Sequence, residues 1–131
     1  MALADDGGPI FGQIADQLSD QIADGGLDEG GRLPSTNELA AFYRVNPATA
    51  ARALSVLAEE GLAEKRRGIG MFVAAGARQQ LISTRRRQFA ERYVQPLVTE
   101  AARIGLGVED LMALVREQSA AAGLAAAGSR A

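Results

Sequence analysis

Two helix-start signals lie a short distance apart and leave little freedom for the middle of the chain. The first is the sequence STNE, in which Ser35 and Glu38 form a capping box: each side chain can satisfy a free backbone N–H of the other residue. The second is Asn46 followed by Pro47, a favoured N-cap before a proline at the first helical position, where no hydrogen bond is lost. A short helix must therefore end within residues 43–45, and another helix must follow a tight turn.

The flanking sequence predicts the neighbouring elements. Apolar residues between Ile10 and Ile22 recur at helical intervals, and Gly25-Gly26 ends this first helix. GLDEGGRLP (26–34) is expected to form a turn and a short extended piece. The helix that begins at Pro47 is expected to stop at Gly61. Two short strands, 62–65 and 71–73, then enclose a basic, glycine-rich tip at 66–70, the pattern of a β-hairpin.

The composition changes after Gly76. Apolar residues recur at helical spacing up to Ile104, Pro96 is expected to break the helix locally, and a last short helix begins at Val108. Two helices cannot bury both of their faces alone, so their apolar side chains need a partner surface. That surface is either the rest of the same chain or a second copy, and a twofold dimer is the commonest solution. The residues expected at this interface are Leu81, Phe89, Tyr93, Leu97, Leu111, Leu114 and Val115.

The charge of the chain is unevenly distributed. The formal net charge is −2, yet residues 44–87 contain nine Lys and Arg against three Glu. Contact with nucleic acid needs such a local basic region. Surface pairing of this region with the acidic residues that precede it would explain the same pattern.

Several classes of chemistry are excluded by composition. The chain has no Cys and no His, which removes disulfides, thiolate nucleophiles, imidazole bases and most zinc sites. No carboxylate pair lies in an apolar, pocket-like context, so we expect no enzyme, no cofactor and no metal. No segment is long enough to span a membrane, and the N-terminus lacks a signal pattern, so we expect a cytoplasmic protein.

The spacing of the two central helices is that of a helix-turn-helix, which places its second helix in the major groove of DNA. Helix pairs that only pack can share this spacing. The outward residues of the second helix favour contact with DNA: Ala48 permits close approach, Thr49 can meet a phosphate or a thymine methyl, and Arg52 can meet a guanine edge or a phosphate. The alternative is an ordinary solvated helix surface.

The hairpin tip fits the same interpretation. Arg66 and Arg67 supply charge, while Gly68 and Gly70 permit close approach to a DNA backbone or minor groove. The other candidate is a phosphate-binding loop for a nucleotide. It is disfavoured because GIG is shorter than the glycine fingerprints and leads into a strand, where those motifs open a helix.

Residues 9–73 resemble the winged helix-turn-helix domain of the GntR family of bacterial transcription regulators. The resemblance rests on motifs in fixed order: a Pro-Ile-aromatic start, GGLDEGGRLPS (25–35), ELA (38–40), VNPAT (45–49), RAL (52–54), EEGL (59–62) and GIGMFV (68–73). RRRQFAERYVQPLVTEAARIGLGVEDLMALV (85–115) resembles the short two-helix tail of the YtrA-like subfamily.

The resemblance implies a dimer that binds DNA through the starts of the second and third helices and through the wing. The corresponding positions are Ser35, Thr36, Asn37, Asn46, Pro47, Ala48, Thr49, Arg52, Arg66, Arg67, Gly68 and Gly70. The family commonly has Arg at position 37, often Asn, Arg or Thr at 48, and often Val or Leu at 50, where this chain has Asn37, Ala48 and Ala50. Without an Arg at position 37, either the preferred operator is expected to differ from that of the relatives, or the affinity is expected to depend more on the wing.

The sequence therefore predicts an α+β, mostly helical chain, with a winged helix-turn-helix DNA-binding domain over residues 9–76 and a two-helix dimerisation segment over 77–120. Residues 1–8 and 121–131 are expected to be disordered. The predicted function is that of a homodimeric repressor that binds a palindromic double-stranded operator. The alternative is a winged-helix protein-interaction module that does not bind DNA. The tail is too small to enclose a ligand-sized pocket, so we expect either that any small-molecule effector binds at the dimer interface or that control comes by another route.

Overall fold

The computed structural model describes residues 9–124 and divides into two compact units, the first ending at Arg85 and the second beginning at Arg86. The predicted tail 1–8 lies outside the described residues, as do residues 125–131. The fold class is as predicted: the described chain is mostly helical and carries a two-stranded sheet. No helix within residues 9–124 is long and apolar enough to cross a membrane.

Three helices form the core of the first unit: α1 (Ile10–Asp24), α2 (Thr36–Tyr43) and α3 (Pro47–Glu59). The first ends where predicted, because Gly25 adopts a left-handed conformation with φ of 88°. On α3 the fully buried Ala50 and Ala53 are small, and small side chains allow α1 and α3 to pack closely. The main buried residues of this core are Ile14, Leu18, Ile22, Leu33, Leu39, Ala50, Ala53, Leu54, Leu57, Leu62 and Val73.

Both predicted helix caps are confirmed. The Glu38 carboxylate accepts a hydrogen bond from the Ser35 N–H at 2.8 Å, and the Ser35 hydroxyl oxygen accepts one from the Glu38 N–H at 3.1 Å. Asn46 Oδ1 accepts a hydrogen bond from the Ala48 N–H at 2.7 Å. Between the two helices, Arg44 lies in the left-handed region with φ of 57° and ψ of 50°. The tight turn is thus made by a residue that lacks the conformational freedom of glycine.

A two-stranded antiparallel ribbon follows α3. Its strands are β1 (Ala63–Arg66) and β2 (Gly70–Val73), and Arg66 pairs with Gly70 at the turn end. The tip is therefore shorter than the predicted 66–70. Arg66 and Gly70, which were predicted to belong to the tip, are the end residues of the two strands. The turn is closed by a 2.9 Å hydrogen bond from the Ile69 N–H to the Arg66 carbonyl.

The segment before α2 adds a third row to this ribbon. The Leu33 N–H donates to the Met71 carbonyl, and Gly30 and Gly31 exchange hydrogen bonds with Val73, all at 2.8 Å. A single bridge also joins Arg32 to Phe72. The extended piece predicted before Pro34 is therefore an edge of the ribbon, which ties the start of α2 to β2.

The helix α4 (Ala77–Phe89) begins against the first unit. Its start is held by Glu29, whose carboxylate accepts hydrogen bonds from the backbone N–H groups of Gly76 (2.7 Å) and Arg78 (3.3 Å), donors that a helix start leaves free. Leu81 is 8% exposed and belongs to the core of this unit. The prediction that Leu81 contacts a partner subunit is therefore corrected, because its side chain is covered within its own chain. The two units divide inside α4, beyond the boundary predicted after residue 76.

The second unit contains a π-helical turn (Ala90–Val94), α5 (Gln95–Arg103) and α6 (Val108–Ala122). Pro96 is the second residue of α5, and the π-helical turn lies directly before it. Proline lacks the backbone N–H that a regular α-helix needs, and the predicted kink or local break near Pro96 takes the form of this π-helical turn, through which the helical backbone continues.

The last helix is longer than predicted. It continues to Ala122 and ends at Gly123, which adopts a left-handed conformation with φ of 73°. The prediction of disorder from residue 121 is therefore wrong for Ala121 and Ala122. Alanine has the highest helix propensity, so a run of alanines extends the helix until a glycine ends it.

Candidate nucleic-acid interface

The start of α2 carries three of the predicted contact residues. Ser35 and Thr36 are half-buried, and Asn37 is exposed. The hydrogen bond from the Ser35 N–H, followed by the bond from the Ser35 side chain, lowers the pKa of Glu38 below its usual 4.5. At neutral pH Ser35 and Glu38 are therefore engaged in holding the helix start, which leaves Asn37 as the side chain free to reach a partner.

The start of α3 presents a second group of exposed residues. Asn46, Pro47 and Ala48 are exposed, while Thr49 is half-buried. Asn46 Oδ1 is used in the cap, so its amide NH2 group remains available as a donor. The positive end of the helix dipole lies at the same place, which favours a negatively charged partner.

Arg52 lies one turn further along α3 and is exposed. Its guanidinium carbon is 4.8 Å from the centroid of the Phe11 ring on α1. Such a cation–π contact at an exposed site contributes only about 0.5–1 kcal/mol. The contact with Phe11 is therefore weak enough for Arg52 to give it up when its guanidinium binds a more favourable partner.

The ribbon supplies the basic part of the site. The Arg66 guanidinium carbon is 4.2 Å from the centroid of the Phe72 ring, and its Nη2 lies 3.3 Å from the Glu64 carboxylate. Arg67 is exposed and forms no ion pair within the described chain. Gly68 and Gly70 have φ of 77° and 141°, values that other residues rarely adopt.

Lys65 lies on the other face of the ribbon. Side chains alternate along a strand, so Lys65 shares a face with Ala63 and Val73, which are buried against the core. Arg66 shares the opposite face with Phe72. The two neighbouring cations of the sequence KRR therefore point in opposite directions, a separation that only the strand register determines.

Three exposed residues near these positions were missed by sequence reasoning. Arg32 precedes the start of α2, Arg44 lies in the turn before α3, and Ile69 is 62% exposed at the ribbon tip. Charge alone is too common a signal to single out either arginine. Their positions become informative only once the pairing of the Arg32 segment with β2 and the left-handed turn at Arg44 are known.

The second unit displays an apolar face. Five of the predicted interface residues are at least 43% exposed, and Leu111 is half-buried. A groove of about 610 Å³ between α5 and α6 is open to solvent. Its lining includes four of the predicted residues, Leu97, Leu111, Leu114 and Val115. The exposed members of the predicted set are Phe89, Tyr93, Leu97, Leu114 and Val115.

Comparison with known proteins identifies the family. The model of bacterial regulatory proteins of the gntR family matches residues 11–73, the range that contains α1 to β2. The HTH-type transcriptional repressor YtrA of Bacillus subtilis is 32% identical over 112 residues, which cover 86% of this chain and 85% of YtrA. The chain belongs to the GntR family. The family consists of transcription regulators with a DNA-binding winged helix, and YtrA is one of them. Membership in this family therefore excludes the enzyme class for this chain.

Solved structures of GntR-family members share the fold. A putative GntR-family regulator from Bacteroides thetaiotaomicron has a TM-score of 0.68 and 32% identity, covering 82% of this chain and 94% of its own. The AraR DNA-binding domain in complex with an operator has a TM-score of 0.51 and 27% identity, covering 56% of this chain and 95% of its own. The AraR domain is thus similar to somewhat more than half of this GntR-family chain.

Proposed function

We propose that the protein is a homodimeric repressor that binds a palindromic double-stranded operator. The observation that carries this proposal is the overlap between the family match at residues 11–73 and the exposed polar and basic residues of α2, α3 and the ribbon. The starts of the two helices offer hydrogen-bond donors and favourable dipole ends, while the ribbon offers arginines that few carboxylates neutralise. YtrA, whose match covers 86% of the chain, is a named repressor. Such a protein acts in the cytoplasm, where the chromosome is.

Dimerisation is supported by the second unit. Apolar side chains on α5 and α6 stay exposed within their own unit, and an exposed stripe of this kind costs free energy until another surface covers it. A second copy supplies the same stripe under twofold symmetry. Twofold symmetry matches a palindrome whose half-sites lie about one helical turn apart. We therefore infer that the second unit is the dimerisation segment.

The first test measures DNA binding as a function of salt. Fragments selected from the source genome by the full-length protein are titrated by fluorescence anisotropy. Each neutralised phosphate is expected to contribute about −0.9 to the slope of log K against log salt. The double variant Arg66→Ala/Arg67→Ala is expected to flatten the slope, while the charge-matched control Arg103→Ala/Arg116→Ala in the second unit leaves it unchanged. Absence of binding, or binding that ignores salt, would favour a protein-interaction module instead.

The second test asks what Arg52 reads. Replacement by alanine should cost about 1–3 kcal/mol of binding free energy and relax the preference at one base position if Arg52 contacts a base edge. Arg52→Lys keeps the charge but loses the planar fork, so it should lose specificity as well. Uniform weakening on every sequence, with recovery by lysine, would show that Arg52 contacts only phosphate.

The third test addresses the dimer. Leu97→Asp combined with Leu114→Asp places two charges in the apolar groove, and sedimentation velocity should then show monomers at concentrations where the wild type is dimeric. Ile69→Asp is the control, because it places the same charge on an exposed apolar residue at the ribbon tip, outside the second unit. A dimer that survives the double substitution would exclude this face as the interface.

Control by a small molecule, if it exists, is proposed to need both subunits. The groove between α5 and α6 is open and does not enclose a ligand, and a second copy would close it. Isothermal titration calorimetry of candidate metabolites should therefore give heat with the wild type only. Tight binding by the monomeric Leu97→Asp/Leu114→Asp variant would refute this.

A further inference from the structure

The strand-like segment before α2 brings Arg32 to the base of the ribbon. Its backbone bridges Phe72, and the neighbouring Leu33 N–H donates to the Met71 carbonyl at 2.8 Å. Arg32 therefore lies in a row with Phe72 and Glu64, and two residues further along the strands Gly70 pairs with Arg66 on the same face. Side chains of these residues share the outer face of the ribbon because alternation in paired strands keeps facing residues together.

Gly70 leaves room for Arg32 on the outer face of the ribbon. A Cβ on Gly70 would lie 3.1 Å from Arg32 Nε and 3.6 Å from its Nη2, so the Arg32 guanidinium occupies the space that a side chain would fill. Arg66 is paired with Gly70 on the neighbouring strand, and its guanidinium carbon lies 4.2 Å from the Phe72 ring centroid. Both arginines are therefore neighbours of Gly70, which has no side chain of its own.

The charges of these two arginines are only weakly compensated. In the described part of the chain Arg32 is exposed and forms no hydrogen bond or ion pair, so its N–H donors are available. The positive charge of Arg32 interacts electrostatically with the Glu38 carboxylate, but that carboxylate already accepts a hydrogen bond from the Ser35 N–H. Arg66 reaches Glu64 at 3.3 Å, and both partners are about half exposed, so this ion pair contributes at most about 1 kcal/mol.

We propose that Arg32 and Arg66 form a phosphate clamp over Gly70, which holds one phosphate of the operator backbone between two guanidinium groups. Arginine suits this role because its planar fork matches phosphate oxygens and keeps its charge at any physiological pH. Arg32 lies shortly before the start of α2 in the chain, and Gly70 is the first residue of β2 after the ribbon tip. The clamp therefore connects two elements of the proposed DNA surface. The clamp rests on the proposed DNA binding and adds Arg32, which is not among the contact positions that the family resemblance implies.

The test compares Arg32→Ala, Arg66→Ala and the double variant with the wild type on one selected operator. Removal of one phosphate contact should flatten the salt slope by about 0.9 and weaken binding about eightfold at 0.1 M salt, to the same extent on specific and non-specific DNA. Because both arginines hold the same phosphate, the double variant should lose clearly less than twice the single loss. Arg32→Lys should keep the slope and recover part of the affinity. Arg103→Ala, with the same loss of one charge, is expected to behave as the wild type.

The outcomes separate the clamp from the proposed function. A wild type that binds no DNA refutes the proposed function and the clamp with it. A wild type with a steep salt slope, together with an Arg32→Ala variant of unchanged slope and normal circular dichroism, refutes the clamp alone. Fully additive losses for the two arginines would mean that they hold different phosphates, which also overturns it.

Discussion

The turn between α2 and α3 stores backbone strain at Arg44. Its φ of 57° and ψ of 50° place an L-residue in the left-handed region, where Cβ approaches the following carbonyl oxygen. That conformation costs about 1–2 kcal/mol for a residue other than glycine. It is retained because the Val45 N–H must reach the Ala40 carbonyl, a bond of 3.0 Å that closes the turn and positions α3.

Arg44→Gly is therefore expected to stabilise the protein. The relief of about 1–2 kcal/mol is reduced by about 0.5–1 kcal/mol, because glycine loses more backbone entropy on folding. The net gain should be about 0.5–1 kcal/mol, which corresponds to a rise in Tm of about 2–6 °C for a domain of this size. Urea unfolding followed by circular dichroism measures the gain directly, since the slope of the transition should stay constant.

Arg44→Ala is the matched control. It removes the same charge and side chain but keeps Cβ, so the strain remains and no stabilisation is expected. Arg44→Asn should fall between the two because asparagine tolerates the left-handed region. Equal stability of the glycine and alanine variants would refute the strain argument. In DNA binding, by contrast, glycine and alanine should lose equally if Arg44 also contacts phosphate.

Four further predictions concern the first unit. Leu57→Ala, at a fully buried site, should reduce the free energy of unfolding by about 2–5 kcal/mol in urea titrations; a smaller loss would mean that the core refills the cavity. Ser35→Ala should cost about 1 kcal/mol by the same method through loss of the cap. The pKa of Glu38 is lowered in the folded state, so its ionised carboxylate stabilises the fold above pH 4.5. This contribution should disappear as the pH falls through the folded-state pKa. A Glu38→Gln variant with the same acid-unfolding profile as the wild type would contradict this. Burial raises the pKa of Tyr43 above 10.0, so stability should fall as the pH rises past about 10, and Tyr43→Phe should remove that dependence while losing the 2.8 Å hydrogen bond to Gln17.

The caps illustrate what could be predicted without coordinates. Ser35 with Glu38, and Asn46 with Pro47, act within one helical turn, so their hydrogen bonds depend on residues that are neighbours in sequence. The break before Pro96 has the same character, because a missing N–H acts on the adjacent turn. The proposed DNA-contact positions were also taken from the sequence, from motifs in fixed order, and they stay a prediction.

Two of the differences between the sequence predictions and the structure come from contacts between residues that are distant in the chain. Leu81 belongs to a helical stripe like the residues that follow it, and only packing separates it from the exposed Phe89 and Tyr93. Arg32 is one charged residue in a turn until its pairing with β2 brings it beside Gly70. The extension of α6 to Ala122 is a different error, since the alanine run was interpreted as low complexity although its helix propensity is high.

By itself, the sequence determined the order of elements, the capped starts of α2 and α3, and the family, because each depends on short-range chemistry or on motifs in fixed order. The tertiary structure decided which side of the ribbon each arginine takes, which apolar residues of the tail are covered by their own chain, and where the two units divide. These properties depend on strand register and burial, which join residues far apart in the chain. A periodic pattern can show that a face is apolar, but the identity of the surface that covers it is a property of the folded chain.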